Sequence, residues 1–289
     1  MSIRAARAVV LGGGGVSGIA WTFGVLAGVA RLGIDLRHAD CFIGTSAGAV
    51  VGTHLAHGTD LEALLQNQLH PPPDAVEIFR AYSQANSARL NRDLFDKVGG
   101  NLTAARKRIG AYALRTETPS LPERSAIIAK RLGRDDWPQK ALHLAAVDTA
   151  TGERRVLDRN DSIGLVDAVA ASCAVPGTWP AVPVGGTHYM DGGVYSTTNA
   201  DIAHDCREVI ILAPFGYDDD NPIAGHLRAE TETLRARGAR VYVVTPDRDA
   251  ANAIGDNVLD PARVPYAAEA GVRMAGKVAY QLREERVIG

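Results

Sequence analysis

A serine stands between two glycines in Gly44-Thr45-Ser46-Ala47-Gly48, after the apolar run Cys41-Phe42-Ile43 and before a second apolar run from Ala49. An apolar strand, Gly-x-Ser-x-Gly and an apolar helix are the pattern of a nucleophile elbow, a sharp turn with the hydroxyl of Ser46 at its apex. Gly44 and Gly48 flank the turn, where strand and helix come too close for side chains. Ser46 would open a helix, so the free amides beyond it, Ala47 first, could hold a developing oxyanion. The chemistry this allows is attack of a serine oxygen on an acyl carbon.

A serine needs amide donors and a base. The run Gly13-Gly14-Gly15-Val16-Ser17-Gly18 supplies candidate donors in Gly13, Gly14 and Gly15, because a backbone without side chains can turn several N–H groups toward one oxygen. The same run fits the Gly-x-Gly-x-x-Gly of a dinucleotide-binding loop. That reading requires an acid at the end of the second strand. The second strand here ends in Gly44-Thr45-Ser46, and Asp35 and Asp40 precede it. For the base, His54, His57 and His70 follow the elbow too closely to reach back. His188 and His204 flank Asp191-Gly192-Gly193, whose aspartate follows an apolar strand. From the residues alone, the base stays open between these histidines and Asp191, and Asp-Gly-Gly is also an ordinary turn sequence.

These groups need elements to hold them. Residues 5–11 read as a buried strand, 17–31 as a helix ending at Gly33, 40–43 as a second strand and 47–56 as a second helix. A β-loop-α-β-elbow-α order implies a parallel sheet covered on both faces. Residues 60–136 read as amphipathic helices broken at Pro71-Pro72-Pro73, Gly99-Gly100 and Pro119 to Pro122, a helical insertion over the site. The sheet resumes at 141–147, turns at 148–152 and returns at 154–157. A helix is expected from Asp161 or Ser162 through Cys173, with strands at 188–190, 209–213 and 241–244. Helices are expected at 226–237 and 264–285. The fold class is α/β, a three-layer sandwich with a mostly parallel central sheet, in one domain over residues 5–289.

Bulk properties narrow the function. The chain has 289 residues, 46% hydrophobic and 22% charged, with a net charge of -2 that gives no footprint for nucleic acid. Residues 89–134 are the exception, with eleven Lys and Arg against four Asp and Glu. They read as a solvated helical face or as a face for an anionic membrane. Cys41, Cys173 and Cys206 have no metal-ligand spacing and suggest buried thiols in a reducing, cytoplasmic setting. The first apolar run breaks at four glycines, unlike a secretory signal, and no run is long enough to span a bilayer. Any membrane contact is therefore expected to be peripheral. No metal or other cofactor is expected.

Taken in order, three motifs resemble the patatin-like phospholipases: the loop Gly13 to Gly18, the elbow Gly44 to Gly48, and Asp191-Gly192-Gly193. The stretch Ala171-Ser172-Cys173-Ala174-Val175-Pro176, with Pro180 beyond it, is similar to the segment that the family carries before its aspartate. The resemblance covers residues 9–202. It implies a Ser46–Asp191 dyad without histidine, acting on carboxylic esters of phospholipids, lysophospholipids or related acyl esters through an acyl-serine. It departs at Ser17, where the family usually carries Arg or Lys. That change leaves open a small-ester esterase or thioesterase, or a binding or regulatory protein that keeps the fold with weak turnover.

Overall fold

The computed structural model describes residues 7–71 and 78–284. Residues 5, 6, 72–77 and 285–289, which the sequence expectations also covered, lie outside the described residues. Strands β1 (Arg7–Leu11), β2 (Cys41–Thr45), β3 (Ala141–Asp148), β4 (Arg154–Leu157), β5 (Val182–Val184), β6 (Thr187–Asp191), β7 (Glu208–Leu212) and β8 (Arg240–Val244) form one sheet. Its order is β5-β6-β3-β2-β1-β7-β8, with β4 paired to β3. From β3 to β8 the neighbours run parallel, while β4, β5 and β6 pair antiparallel. The mostly parallel α/β sandwich expected from the sequence is the observed fold.

Strand side chains alternate between faces, and the core divides accordingly. Val9, Leu11, Phe42, Leu144, Ile210 and Leu212 belong to one apolar cluster, and Ala8, Val10, Ile43, Val209, Ile211 and Val241 to a second. Against the first lie α1 (Gly15–Arg31), α2 (Ala47–Ala56), α3 (Leu61–Leu69), α7 (Leu165–Ser172), α9 (Arg248–Ile254) and α10 (Val264–Glu284). The second is covered by α8 (Leu227–Ala236) and a 3₁₀ turn at Ala200–Ala203. Helices α4 (Gln84–Lys97), α5 (Leu102–Arg115) and α6 (Leu121–Leu132) belong to the long crossover between β2 and β3. Each starts at a side-chain cap, Ser83, Asn101 and Ser120, and Ser120 with Glu123 forms a capping box.

Two expectations need correction. The helix expected from Asp161 or Ser162 begins only at Leu165 and ends at Ser172. Asp161 instead pairs with Arg155 and accepts the Asp158 amide, so its carboxylate closes the preceding turn. The strand expected over residues 40–43 begins one residue later and continues to Thr45, which carries the sheet up to the serine. Strand β5 and helix α9 were not foreseen.

The longest helical contact is α1 against α10. Glycines set its closeness: a Cβ on Gly24 would lie 2.2 Å from the Ala268 carbonyl oxygen, and one on Gly271 would lie 2.2 Å from that of Trp21. The N-terminus of α1 carries the glycine-rich loop, so this packing holds the loop in place. Gly271→Val should destabilise the fold by about 3 kcal/mol or more, the upper range for overpacking, as a lower urea midpoint. An unchanged midpoint would show that the two helices separate freely.

Candidate active site

β1 and β2 end at the same edge of the sheet, and each opens into a helix. Ser46 caps α2 with φ 52° and ψ -117°, a left-handed conformation that costs a residue with a side chain on the order of 1–3 kcal/mol. Its surroundings hold it there. The Ser46 amide donates to Ser172 Oγ at 3.0 Å, and the Ser46 carbonyl accepts from the Ala49 amide at 2.8 Å and from the Cys173 thiol at 3.1 Å. The flanking glycines have no room for a side chain. A Cβ on Gly48 would sit 1.8 Å from the Leu11 carbonyl oxygen, and one on Gly44 would sit 2.6 Å from the Ala49 Cα.

The glycine-rich loop packs beside the serine. A Cβ on Gly13 would lie 3.7 Å from that of Ser46, and one on Gly14 would meet Pro214 at 2.6 Å. The Gly13 amide donates to the Thr197 carbonyl at 2.8 Å. Gly13 is thus an anchor of the loop, and the expectation of it as a free donor is corrected. No acceptor for the amides of Gly14, Gly15 or Ala47 is seen among the described residues. Gly15 and Ala47 are first-turn residues of α1 and α2, where helix geometry supplies none. Gly18 donates to the Gly14 carbonyl at 2.7 Å and closes the loop. Ser17 is fully buried, and its hydroxyl faces the Val258 carbonyl at 3.4 Å.

Asp191 arrives from the other side. In the sheet, Thr45 is level with Ala145 of β3, and Asp191 is level with Ala146. Ser46 and Asp191 therefore flank one position of β3, two strand spacings apart, roughly 10 Å between main chains. Their side chains bridge that gap over a small alanine. Beyond the aspartate, Gly192 lies so close to β3 that a Cβ would be 2.3 Å from the Ala145 carbonyl oxygen. The Gly193 amide donates to Asp191 Oδ1 at 2.7 Å. The Ser46 hydroxyl is near enough to favour the carboxylate, while Oδ2 is buried without a partner in aligned hydrogen-bond geometry. Burial pushes the Asp191 carboxyl up to about 7, and the Ser46 hydroxyl, the Gly193 amide and the Arg124 charge only partly oppose it.

Asn199 joins the two halves. Its side-chain nitrogen lies 3.0 Å from Thr45 Oγ1, one residue before the serine, and 3.2 Å from the Gly192 carbonyl, one residue after the aspartate. It too is left-handed, with φ 52°. Thr197 adds a buried hydroxyl without a partner at the same wall. Sequence reasoning missed Asn199 and Thr197, which no local pattern marks. Ser172 and Cys173 were within reach, because they lie in the quoted Ala-Ser-Cys-Ala-Val-Pro stretch. None of the eight histidines lines the cavity around Ser46, and His188 and His204 are exposed.

That cavity measures about 550 Å3, with Gly14, Ser46, Ala47 and Asp191 at its floor and Ile19, Leu90, Leu94, Ile109 and Tyr112 on its walls. A hydroxyl, a carboxyl near its protonation midpoint at neutral pH and unpaired amides facing an apolar cavity can carry out acyl transfer. The model of the patatin-like phospholipase family matches residues 9–204. The chain belongs to the patatin-like phospholipase family. No curated protein matches it in sequence. Among solved structures, this patatin-like chain is similar to the type III effector protein ExoU at 19% identity and TM-score 0.45, over 99% of this chain and 54% of that one. It is similar to VipD from Legionella pneumophila at 11% identity and TM-score 0.46, over 96% and 67%. Human GIVD cytosolic phospholipase A2 follows at 10% identity and TM-score 0.46, over 98% and 63%. The patatin-like chain thus spans about half to two thirds of the length of these proteins. Among its described residues no helix is long and apolar enough to cross a membrane, and no group of acids, histidines and cysteines could hold a metal ion.

The position of Asp191 has a measurable cost. Its folded-state value lies above the ordinary 3.8, so the buried carboxyl costs no stability below about pH 4, and the cost grows as pH rises toward about 7. Asp191→Asn should therefore raise Tm relative to the wild type more at pH 8 than at pH 4.5. Equal offsets at both pH values would mean that the carboxyl is not held in this state.

Proposed function

We propose that this chain is a lipid acyl hydrolase that cleaves carboxylic ester bonds of phospholipids, lysophospholipids or related acyl esters through an acyl-Ser46 intermediate. The observation that carries the reading is the meeting of the Ser46 hydroxyl and the buried Asp191 carboxyl at the floor of an apolar cavity. In the first half-reaction, ionised Asp191 takes the Ser46 proton as Oγ bonds to the ester carbonyl carbon. The carbonyl oxygen becomes an oxyanion, received by the amides of Gly14, Gly15 and Ala47. Collapse breaks the ester C–O bond, and the proton held by Asp191 goes to the departing alkoxide. In the second half, Asp191 takes a proton from water, the hydroxide oxygen bonds to the acyl carbon, and the proton returns to Ser46 as the free acid leaves. No step calls on a cofactor or metal.

A carboxylate with an ordinary value near 4 is a weak base at neutral pH, and burial brings Asp191 close to the best match. The apolar walls suit an acyl chain. Helices α4 to α6 serve as a helical insertion over the cavity, since Leu90 and Leu94 come from α4, Ile109 and Tyr112 from α5, and Arg124 and Arg131 from α6. Exposed Leu90, Tyr112 and Leu114 lie in the basic stretch of residues 89–134, and with exposed Ile78 and Phe79 just before it they form the peripheral contact with a lipid surface. The free thiols of Cys41, Cys173 and Cys206 fit a reducing, cytoplasmic setting.

A fluorophosphonate should label the wild type and leave Ser46→Ala unlabelled, and labelling of that variant would remove Ser46 from the chemistry. On a lysolipid or nitrophenyl ester, Asp191→Asn should lose about a thousandfold in kcat, within the range for a general base. Because the active form is the carboxylate, kcat/KM should climb about tenfold per pH unit below pH 7 and level off above it. A flat profile from pH 5 to 8, or a larger loss in His188→Ala or His204→Ala, would assign the base elsewhere.

A further inference from the structure

A second cavity, of about 370 Å3, lies beside the first. The two share Val16, Ile19 and Arg131 in their walls. Val16 and Ile19 are followed on α1 by Phe23, and the spacing i, i+3, i+7 puts all three on one stripe of the helix. This stripe starts one residue after Gly15, beside the reacting hydroxyl, and runs on into the second cavity. There it faces Val50 of α2, Leu64 of α3, Ile127 of α6 and Val264 of α10, each less than 10% exposed. One apolar wall therefore leads from Ser46 into a separate chamber.

The chamber contains a histidine that presents no reactive nitrogen. His54 Nε2 meets the Arg131 carbonyl at 3.1 Å, which requires the proton on that nitrogen, and Nδ1 faces Thr59 Oγ1 at 3.4 Å. Burial, aided by the charge of Arg134, pushes the imidazole down to about 4, so it is neutral at physiological pH. The ring packs edge-on against Phe23. Most of what remains facing the space is hydrocarbon, with Asn67, Gln68, Lys130 and the shared Arg131 as the polar side chains of the lining.

We propose that this chamber binds the second acyl chain of a two-chain lipid while the first chain, carrying the scissile ester, lies in the cavity around Ser46. The inference rests on the acyl-hydrolase reading above and refines it: the substrate class is a diacyl lipid, not a single-chain one. The glycerol backbone straddles the ridge of Val16 and Ile19, with one chain on either side. Such a lipid keeps the second chain out of water throughout the reaction, whereas a lysolipid leaves the chamber empty. The binding free energy of the second chain then favours the diacyl substrate, methylene by methylene.

The test fills the chamber from its α3 side, away from Ser46. Gln68→Trp and, independently, Asn67→Trp are compared with the wild type on a diacyl phospholipid and the matching lysophospholipid, both in mixed micelles. The kcat/KM ratio of diacyl to lysolipid should fall about tenfold or more in either variant, as several methylenes are denied burial. Ile127→Ala, which enlarges the chamber, should move the preferred length of the uncleaved chain upward. An unchanged ratio in both tryptophan variants, with lysolipid turnover and Ser46 labelling intact, overturns the second-chain site. An equal fall on both substrates also overturns it, since that would place a single chain in the chamber. Absence of ester turnover and of labelling in the wild type is a separate result and refutes the acyl-hydrolase reading itself.

Discussion

A carboxyl group taken fully out of water beside a hydroxyl is an expensive thing for a fold to keep, and much of this one is arranged around it. Removing an isolated carboxylate from solvent costs several kcal/mol, so the group responds by holding its proton more tightly. Asp191 is not left isolated. The Gly193 amide takes Oδ1, the Ser46 hydroxyl stands nearby, and the charge of Arg124 reaches it. The result is a group balanced between its two protonation states near neutrality. A better solvated aspartate would be a weaker base, and one with no polar neighbours would stay protonated.

The mixed character of the sheet is what permits this meeting. In an all-parallel sheet every strand would reach the site edge from the same direction and leave through a crossover helix. Here β2 approaches parallel to β3 and delivers a serine at its end, while β6 approaches antiparallel and delivers an aspartate against the same stretch of β3. The small Ala145 and Ala146 between them keep the gap narrow. Asn199 then ties Thr45 to Gly192 across the strand, so the elbow and the acid turn share one hydrogen-bonding group. Glu230, buried on α8, supports this bridge by accepting the Thr198 hydroxyl at 2.6 Å and the Ala200 amide at 3.0 Å.

What the sequence made legible follows from this division. The elbow, the glycine loop and the Asp-Gly-Gly turn are local solutions to local crowding, so each shows in a few adjacent residues. Helix α2 was read at its observed ends because an apolar run stops at a glycine. The contrast between the buried Asp191 and the exposed His188 and His204 was not legible from residue types, because burial is a property of the assembled sheet. Gly13 looked equal to Gly14 and Gly15 until Thr197, 184 positions along the chain, took its amide. Asn199 and Thr197 carry no pattern of their own. Their roles come from the turn after β6, whose path is set by strands far away in sequence. The late start of α7 has a simpler cause: Asp161 can cap a helix or close a turn, and Arg155 on the neighbouring strand favours the turn.

The two sides of the cavity are held with unequal strength, and that inequality bears on how a ligand could enter. The floor belongs to α1 and α2, whose glycines press backbone on backbone, and to the buried ends of the strands. On the other side, α4 buries only Ala88 among its residues. It is tethered by polar contacts: Asn91 to Asn221 at 3.1 Å, Arg92 to the Asp220 carbonyl at 2.7 Å, and Ala85 to Asp256 at 2.8 Å. The two exposed contacts contribute little each, and water replaces them readily. Local opening draws on the least buried elements of a structure. Separation of α4 from the 218–221 turn therefore costs less than movement of the floor, and it would take Leu94 and the already exposed Leu90 away from the cavity wall. Under the proposed acyl-hydrolase function, a lipid surface covering Leu90 and Leu94 would lower the cost of that separation, so the binding of a lipid and the opening of its cavity would be coupled.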